Sequence, residues 1–228
     1  PLDYRLIFSP ETYELVTSPT VRVTTSNQRV ANPNGTQFTP GNFSVTAPDY
    51  PPAIWTPTPV NWSSRNGSAI TDVTVHTIQG SYAGCISWFQ NPSAQASAHY
   101  VLRSSDGQVT QMIREADKAW HAKSANPYAI GLEHEGYVSN ASWYTNAMYQ
   151  SSANLVKDIC TDRSINPTTC YNGPAHNNVV TLSSTLRIKG HQHFPNQTHT
   201  DPGINWNWGL YYNLINSVNC AVPGGIAT

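Results

Sequence analysis

The sequence has no stretch apolar enough to cross a bilayer, which takes about 18 to 20 consecutive apolar residues. It starts at Pro1 without a methionine or a basic and apolar leader, and so reads as a mature or trimmed polypeptide. Charge is scarce as well. Only 11% of residues are charged, and 12 Lys and Arg stand against 13 Asp and Glu, a formal net charge of -1. That balance provides no cationic field to gather nucleic acid or an anionic membrane, so neither is expected as a partner, and a neutral polymer or peptide fits better. No H-E-x-x-H occurs, which argues against a helix-borne zinc protease, and no repeat or low-complexity tract interrupts the chain.

Cysteine is rare. The four present, Cys85, Cys160, Cys170 and Cys220, follow neither a C-x-x-C nor another zinc-ribbon spacing, which argues against a cysteine metal centre. Disulfides are the better reading, with four buried thiols in a reducing compartment as the alternative. Cys160 and Cys170 flank a polar loop containing Asn166 and Pro167, so they form the first expected bridge, leaving Cys85 with Cys220. Such pairing implies an oxidising compartment, hence a secreted or extracellular protein.

What is present suits a folded chain, since 39% of 228 residues are apolar. Residues 1–50 stand apart: Pro10, Pro19, Pro33 and Pro40 punctuate short alternating stretches, reading as an extended N-terminal arm with one or two edge strands. The proline-rich run Pro51 to Pro59 reads as a stiff extended approach to a single domain over 51–228. Asp72 to Ile78 is rich in β-branched residues and ends at Gly80, as a strand does. Ala83 to Phe89 suits a short helix. Ala98 to Arg103 and Gln108 to Ile113 flank Ser105-Asp106-Gly107 as a hairpin, and Tyr128 to Gly136 supplies another strand. Tyr144, Met148, Ser152, Leu155 and Ile159 recur at helical spacing, and a last helix fits Trp208 to Val218. Strands mixed with helices indicate an α/β domain.

His76 lies mid-strand, where alternation places it on one face with Thr74 and Ile78. Alone it signifies little. Downstream, however, Gly190 to Gly203 carries His191, His193, His199 and Asp201 in one loop bounded by glycine and proline. A catalytic zinc takes three protein ligands and leaves one position open, and His76, His191 and Asp201 meet that need. The bland alternative is a solvated polar loop. Glu133 and Glu135, two residues apart, share a strand face, and spacing alone does not separate them as a general base. His99 reads as a buried structural residue, and Trp120 and His121 as groove-lining or core. His134 and His193 have no assigned role.

Six ordered motifs then carry a resemblance: Val75-His76-Thr77, Ala98-His99-Tyr100-Val101, Ala119-Trp120-His121-Ala122, Ile130-Gly131-Leu132-Glu133, Gly190-His191 and Thr200-Asp201-Pro202-Gly203. From about Trp55 to Tyr211 the chain resembles the type 2 zinc N-acetylmuramoyl-L-alanine amidases, whose fold extends to phage lysozyme-like amidases and animal peptidoglycan recognition proteins. The resemblance implies a central mixed β-sheet flanked by helices with a zinc site at the sheet edge. It implies Zn2+ held by His76, His191 and Asp201, and Glu133 as catalytic base. His199 stands where several relatives have a lysine, and is expected to stabilise the oxyanion. The implied reaction is hydrolysis of the amide joining the N-acetylmuramic acid lactyl group to L-alanine, on peptidoglycan or muropeptides, by a monomer. The alternative is a recognition protein that binds peptidoglycan without cutting it; relatives of that kind commonly lack a zinc ligand, and here all three are present.

Overall fold

The computed structural model describes residues 47–217, so the expected arm falls almost wholly outside the described residues. Its last residues already belong to the domain. Tyr50 is buried in the core, and Asp49 Oδ2 accepts from the backbone N–H of Glu115 at 2.8 Å.

In chain order the elements are β1 (Ile54–Trp55), β2 (Trp62–Ser64), β3 (Asp72–Thr77), α1 (Tyr82–Phe89), β4 (Tyr100–Leu102), β5 (Val109–Gln111), β6 (Asp117–Ala119), β7 (Ala129–His134), α2 (Asn146–Arg163), β8 (Ile188–Gly190) and α3 (Trp208–Asn216). Six strands form one sheet in the order β1-β5-β4-β7-β3-β8, and β2 pairs with β6 in a small second sheet. Only the β4–β5 hairpin is antiparallel within the large sheet, so the sheet is mixed. The proline-rich approach does not stay free of structure. Residues 54–58 extend along β5, with the Thr56 and Thr58 N–H groups bonded to the Gln111 and Met112 carbonyls.

Every residue of β3 is buried, as befits a strand covered on both faces. Alternation divides the side chains between two cores. Val73, Val75, Tyr100, Leu102 and Leu132 pack with α2 and α3, whereas Val101 packs with Tyr82, Cys85 and Phe89 of α1 on the other face. Burying each such aliphatic side chain contributes roughly 1.5–3 kcal/mol. Glu133 is the register partner of both Val101 and His76, so all three share the α1 face.

The expected helical stripe is buried throughout: Tyr144, Met148, Ser152, Leu155 and Ile159. Thr145 caps α2 by accepting from the Met148 N–H at 3.2 Å, and Ser164, at φ 55°, closes it four residues beyond Cys160. The expected disulfides do not form. Cys85 and Cys160 are buried free thiols, while Cys170 is disulfide-bonded; Cys220 lies outside the described residues. Cys160 faces the core under α2 and α3 and Cys85 the core under α1, each buried as a free thiol, so neither the Cys160–Cys170 bridge expected from loop proximity nor the Cys85–Cys220 bridge left by elimination is made.

Candidate metal centre

Two pairings bring the site together. Parallel β3 and β7 set His76 opposite Glu133, and parallel β3 and β8 set Val75 opposite Gly190, so His191 emerges at the same C-terminal edge of the sheet. The loop then turns back. Gly190 allows this, because a Cβ there would stand 2.4 Å from Pro202 Cδ, and the return brings Asp201 against both imidazoles. His76 Nδ1 lies 3.0 Å from Asp201 Oδ2 and His191 Nδ1 lies 3.1 Å from Asp201 Oδ1. The rings of His76 and His191 are 4.5 Å apart. One ligand atom from each of the three buried residues lies within 4.8 Å of the others, a group able to hold a metal ion.

Burial, helped by the neighbouring His191, pushes the His76 pKa down to about 4 and keeps the ring neutral. Two imidazole nitrogens and one carboxylate suit zinc. Glu133 goes the other way: burial, then the charge of Asp201, lifts its carboxyl well above the ordinary value. Its Oε2 is sealed from solvent and has no hydrogen-bond partner. A half-buried carboxyl with an unused oxygen, set opposite His76 in the sheet register, is equipped to take and return a proton.

Glu135 is otherwise employed. Oε1 accepts from the Tyr82 N–H at 2.9 Å, at the start of α1, and Oε2 from the Ser104 N–H at 2.8 Å. Both oxygens are engaged in holding backbone. His199 is exposed, with its ring stacked on His191 at 4.9 Å and 15° between planes. His99 is buried, its Nδ1 accepting from the Gly131 N–H at 3.0 Å and its Nε2 lying 3.1 Å from the Asp117 carbonyl. His134 bonds the His76 carbonyl and Ser152 Oγ on the α2 side of the sheet. His193 accepts from the Gly190 N–H at 3.2 Å. Neither of the last two joins the group.

Two contacts were not legible as site features. His121, expected at the groove, lies 3.0 Å by its Nδ1 from His76 Nε2, and Gln197 Oε1 lies 2.9 Å from His191 Nε2. The tryptophan beside His121 is partly buried and donates from Nε1 to Ser63 Oγ at 3.1 Å. The Ala119–Ala122 motif flagged His121, but a glutamine in a polar loop carries no signal of its own.

A family model described as N-acetylmuramoyl-L-alanine amidase matches residues 66–204. N-acetylmuramoyl-L-alanine amidase A of Achromobacter lyticus is 46% identical over 171 residues, which is 75% of this chain and 97% of that protein. The 1,6-anhydro-N-acetylmuramyl-L-alanine amidase AmpD of Haemophilus influenzae is 28% identical over 133 residues, 53% of this chain and 59% of that protein. Among solved structures, a selenomethionine derivative of AmpD shares the fold, with a TM-score of 0.57 at 23% identity over 72% of this chain and 94% of the other.

Proposed function

The chain belongs to the N-acetylmuramoyl-L-alanine amidase family, and on that premise we propose that it hydrolyses the lactyl–L-alanine amide of peptidoglycan or muropeptides with a zinc ion held by His76, His191 and Asp201. The convergence of those three buried side chains carries the reading. What zinc supplies in such a site is Lewis-acid polarisation of the amide carbonyl and water acidified to a pKa near ~7.

The chain's own groups complete the reaction. The Glu133 carboxylate takes a proton from the attacking water, whose oxygen bonds to the lactyl carbonyl carbon. As the C–N bond breaks, the same carboxyl returns the proton to the departing alanine nitrogen, and the proton left on the new lactyl carboxylic acid passes to the freed amine, giving a carboxylate and an ammonium group. His199, on the exposed side of His191, donates to the oxygen that gains charge. The complete ligand set and the unpartnered Glu133 oxygen favour catalysis over binding alone. The disulfide at Cys170 supports an oxidising, extracellular setting, where peptidoglycan is found.

Digestion of purified peptidoglycan with mass analysis of the products tests this. Free stem peptides beginning at L-alanine, with the glycan intact, support it. New reducing sugar ends, or cuts within the peptide, overturn it.

A further inference from the structure

His76 and His191 turn their Nδ1 atoms to Asp201, and the chemistry proposed above leaves their Nε2 atoms unused. Each Nε2 is nonetheless held, and each restraint ends on a backbone carbonyl. For His191 the partner is Gln197 Oε1 at 2.9 Å. The orientation of that amide follows from its other end. Gln197 Nε2 lies 2.9 Å from the Ala122 carbonyl and 3.0 Å from the Pro195 carbonyl. Carbonyl oxygens only accept, so the NH2 group must sit there and the amide oxygen must face His191. That oxygen also only accepts. His191 Nε2 therefore carries the hydrogen, and a neutral ring then presents a bare lone pair at Nδ1.

For His76 the restraint runs through a second imidazole. His121 Nε2 lies 3.4 Å from the Ala129 carbonyl, so that nitrogen is the protonated one. His121 Nδ1 is then an acceptor, and at 3.0 Å it receives the hydrogen of His76 Nε2. His76 Nδ1 is left with its lone pair directed at Asp201. Two lone pairs and a carboxylate converge with no proton between them, an arrangement that repels itself until a cation enters.

Both restraints are anchored in one short stretch of chain. Asn126 Oδ1 accepts from the N–H groups of His121 and Ala122, at 3.0 and 2.6 Å. Ala122 supplies a carbonyl to Gln197, and Lys123 Nζ reaches Thr198 Oγ1 at 3.0 Å. Gly131 completes the seat, because a Cβ there would stand 2.7 Å from His121 Cγ. We infer that His121 and Gln197 are positioning residues that fix the tautomer and ring direction of His76 and His191, presenting both Nδ1 lone pairs to the metal from one support, residues 121–126. The inference rests on the zinc reading.

The test measures zinc affinity by chelator competition in wild type, Gln197→Met, His121→Phe and His121→Asn. Loss of such a partner typically weakens a metal about 10- to 100-fold, and that is the result expected for Gln197→Met and His121→Phe. His121→Asn should lie within a few-fold of wild type, because its side-chain oxygen can occupy the place of Nδ1. Proton–nitrogen correlation spectra of the zinc-loaded wild type should show both ligand imidazoles hydrogenated at Nε2, a readout that does not depend on whether any variant folds. Nδ1–H tautomers in that spectrum overturn the inference, as does unchanged zinc affinity in both Gln197→Met and His121→Phe. Zinc held tightly by the wild type in those cases leaves the amidase reading standing, whereas a wild type that binds no zinc removes both.

Discussion

Glu133 and His76 are register partners across the parallel β7–β3 pair and share the face that α1 covers. The candidate base is thus set beside the candidate ligand by sheet hydrogen bonds rather than by a loop, which limits how far either can drift. Glu135, on the same face one pleat further along, has both oxygens bonded to backbone N–H groups.

The two glutamates should therefore fail differently. Glu133→Gln keeps the size of the side chain and removes the base, so kcat should fall roughly 10²- to 10⁴-fold with zinc retained. Glu135→Gln leaves the chemistry nearly intact and should lower stability by about 1–3 kcal/mol, since a neutral amide serves two backbone donors poorly. Product release from peptidoglycan and thermal unfolding distinguish them, and the reverse pattern would transfer the role of base to Glu135.

The metal group predicts about one zinc per chain after dialysis, and loss of activity with a strong chelator. His76→Ala, His191→Ala and Asp201→Ala should each abolish tight zinc binding. Full hydrolysis by a metal-free preparation would defeat the mechanism.

His199 is exposed and stacks on the candidate ligand His191, a position suited to the substrate side of the site. His199→Ala should retain zinc and lose about 10²-fold or more in kcat, while His199→Lys should recover part of the loss. If His199→Ala proves metal-free, the residue is a ligand instead.

Buried His99 makes stability depend on acid. Its Nδ1 accepts from the Gly131 N–H and its Nε2 meets the Arg65 guanidinium at 2.8 Å and the Asp117 carbonyl at 3.1 Å, and burial, reinforced by the charge of Arg65, holds its pKa well below 6.5. The unfolded chain takes a proton near ~6.5 while the folded chain does not, so this stability is complete above that pH and is lost as pH falls toward the folded value, by up to about 1.4 kcal/mol per unit. Denaturant unfolding of wild type and His99→Met between pH 7 and 5 should show a shallower decline for the variant. Equal slopes would remove His99 from the acid response.

Local pattern made β3, α1, the β4–β5 hairpin, β7, α2 and α3 legible, because each has a run of residues long enough to display its period or a turn that marks its end. Strands β1, β2, β6 and β8, of two or three residues each, are too short to show alternation and exist only because a neighbouring strand offers them a ladder. The ordered motifs likewise pointed to His76, His191, Asp201 and Glu133 before any distance was known.

Other decisions belong to three dimensions. Cys160 and Cys170 are ten positions apart in the chain, but nearness in sequence does not set the Cβ geometry that a bridge needs, and Cys160 is a buried free thiol. Period two gives Glu133 and Glu135 the same face and hence the same standing; what separates them is that the Tyr82 and Ser104 N–H groups arrive at one and nothing arrives at the other. Gln197 becomes part of the site only because the His191–Asp201 loop folds back against Ala122. Residue type and spacing specify which chemistry a side chain can do. Which nitrogen keeps its lone pair and which carboxyl stays unpaired is set by partners from distant parts of the chain, and only tertiary structure brings those partners within hydrogen-bond reach.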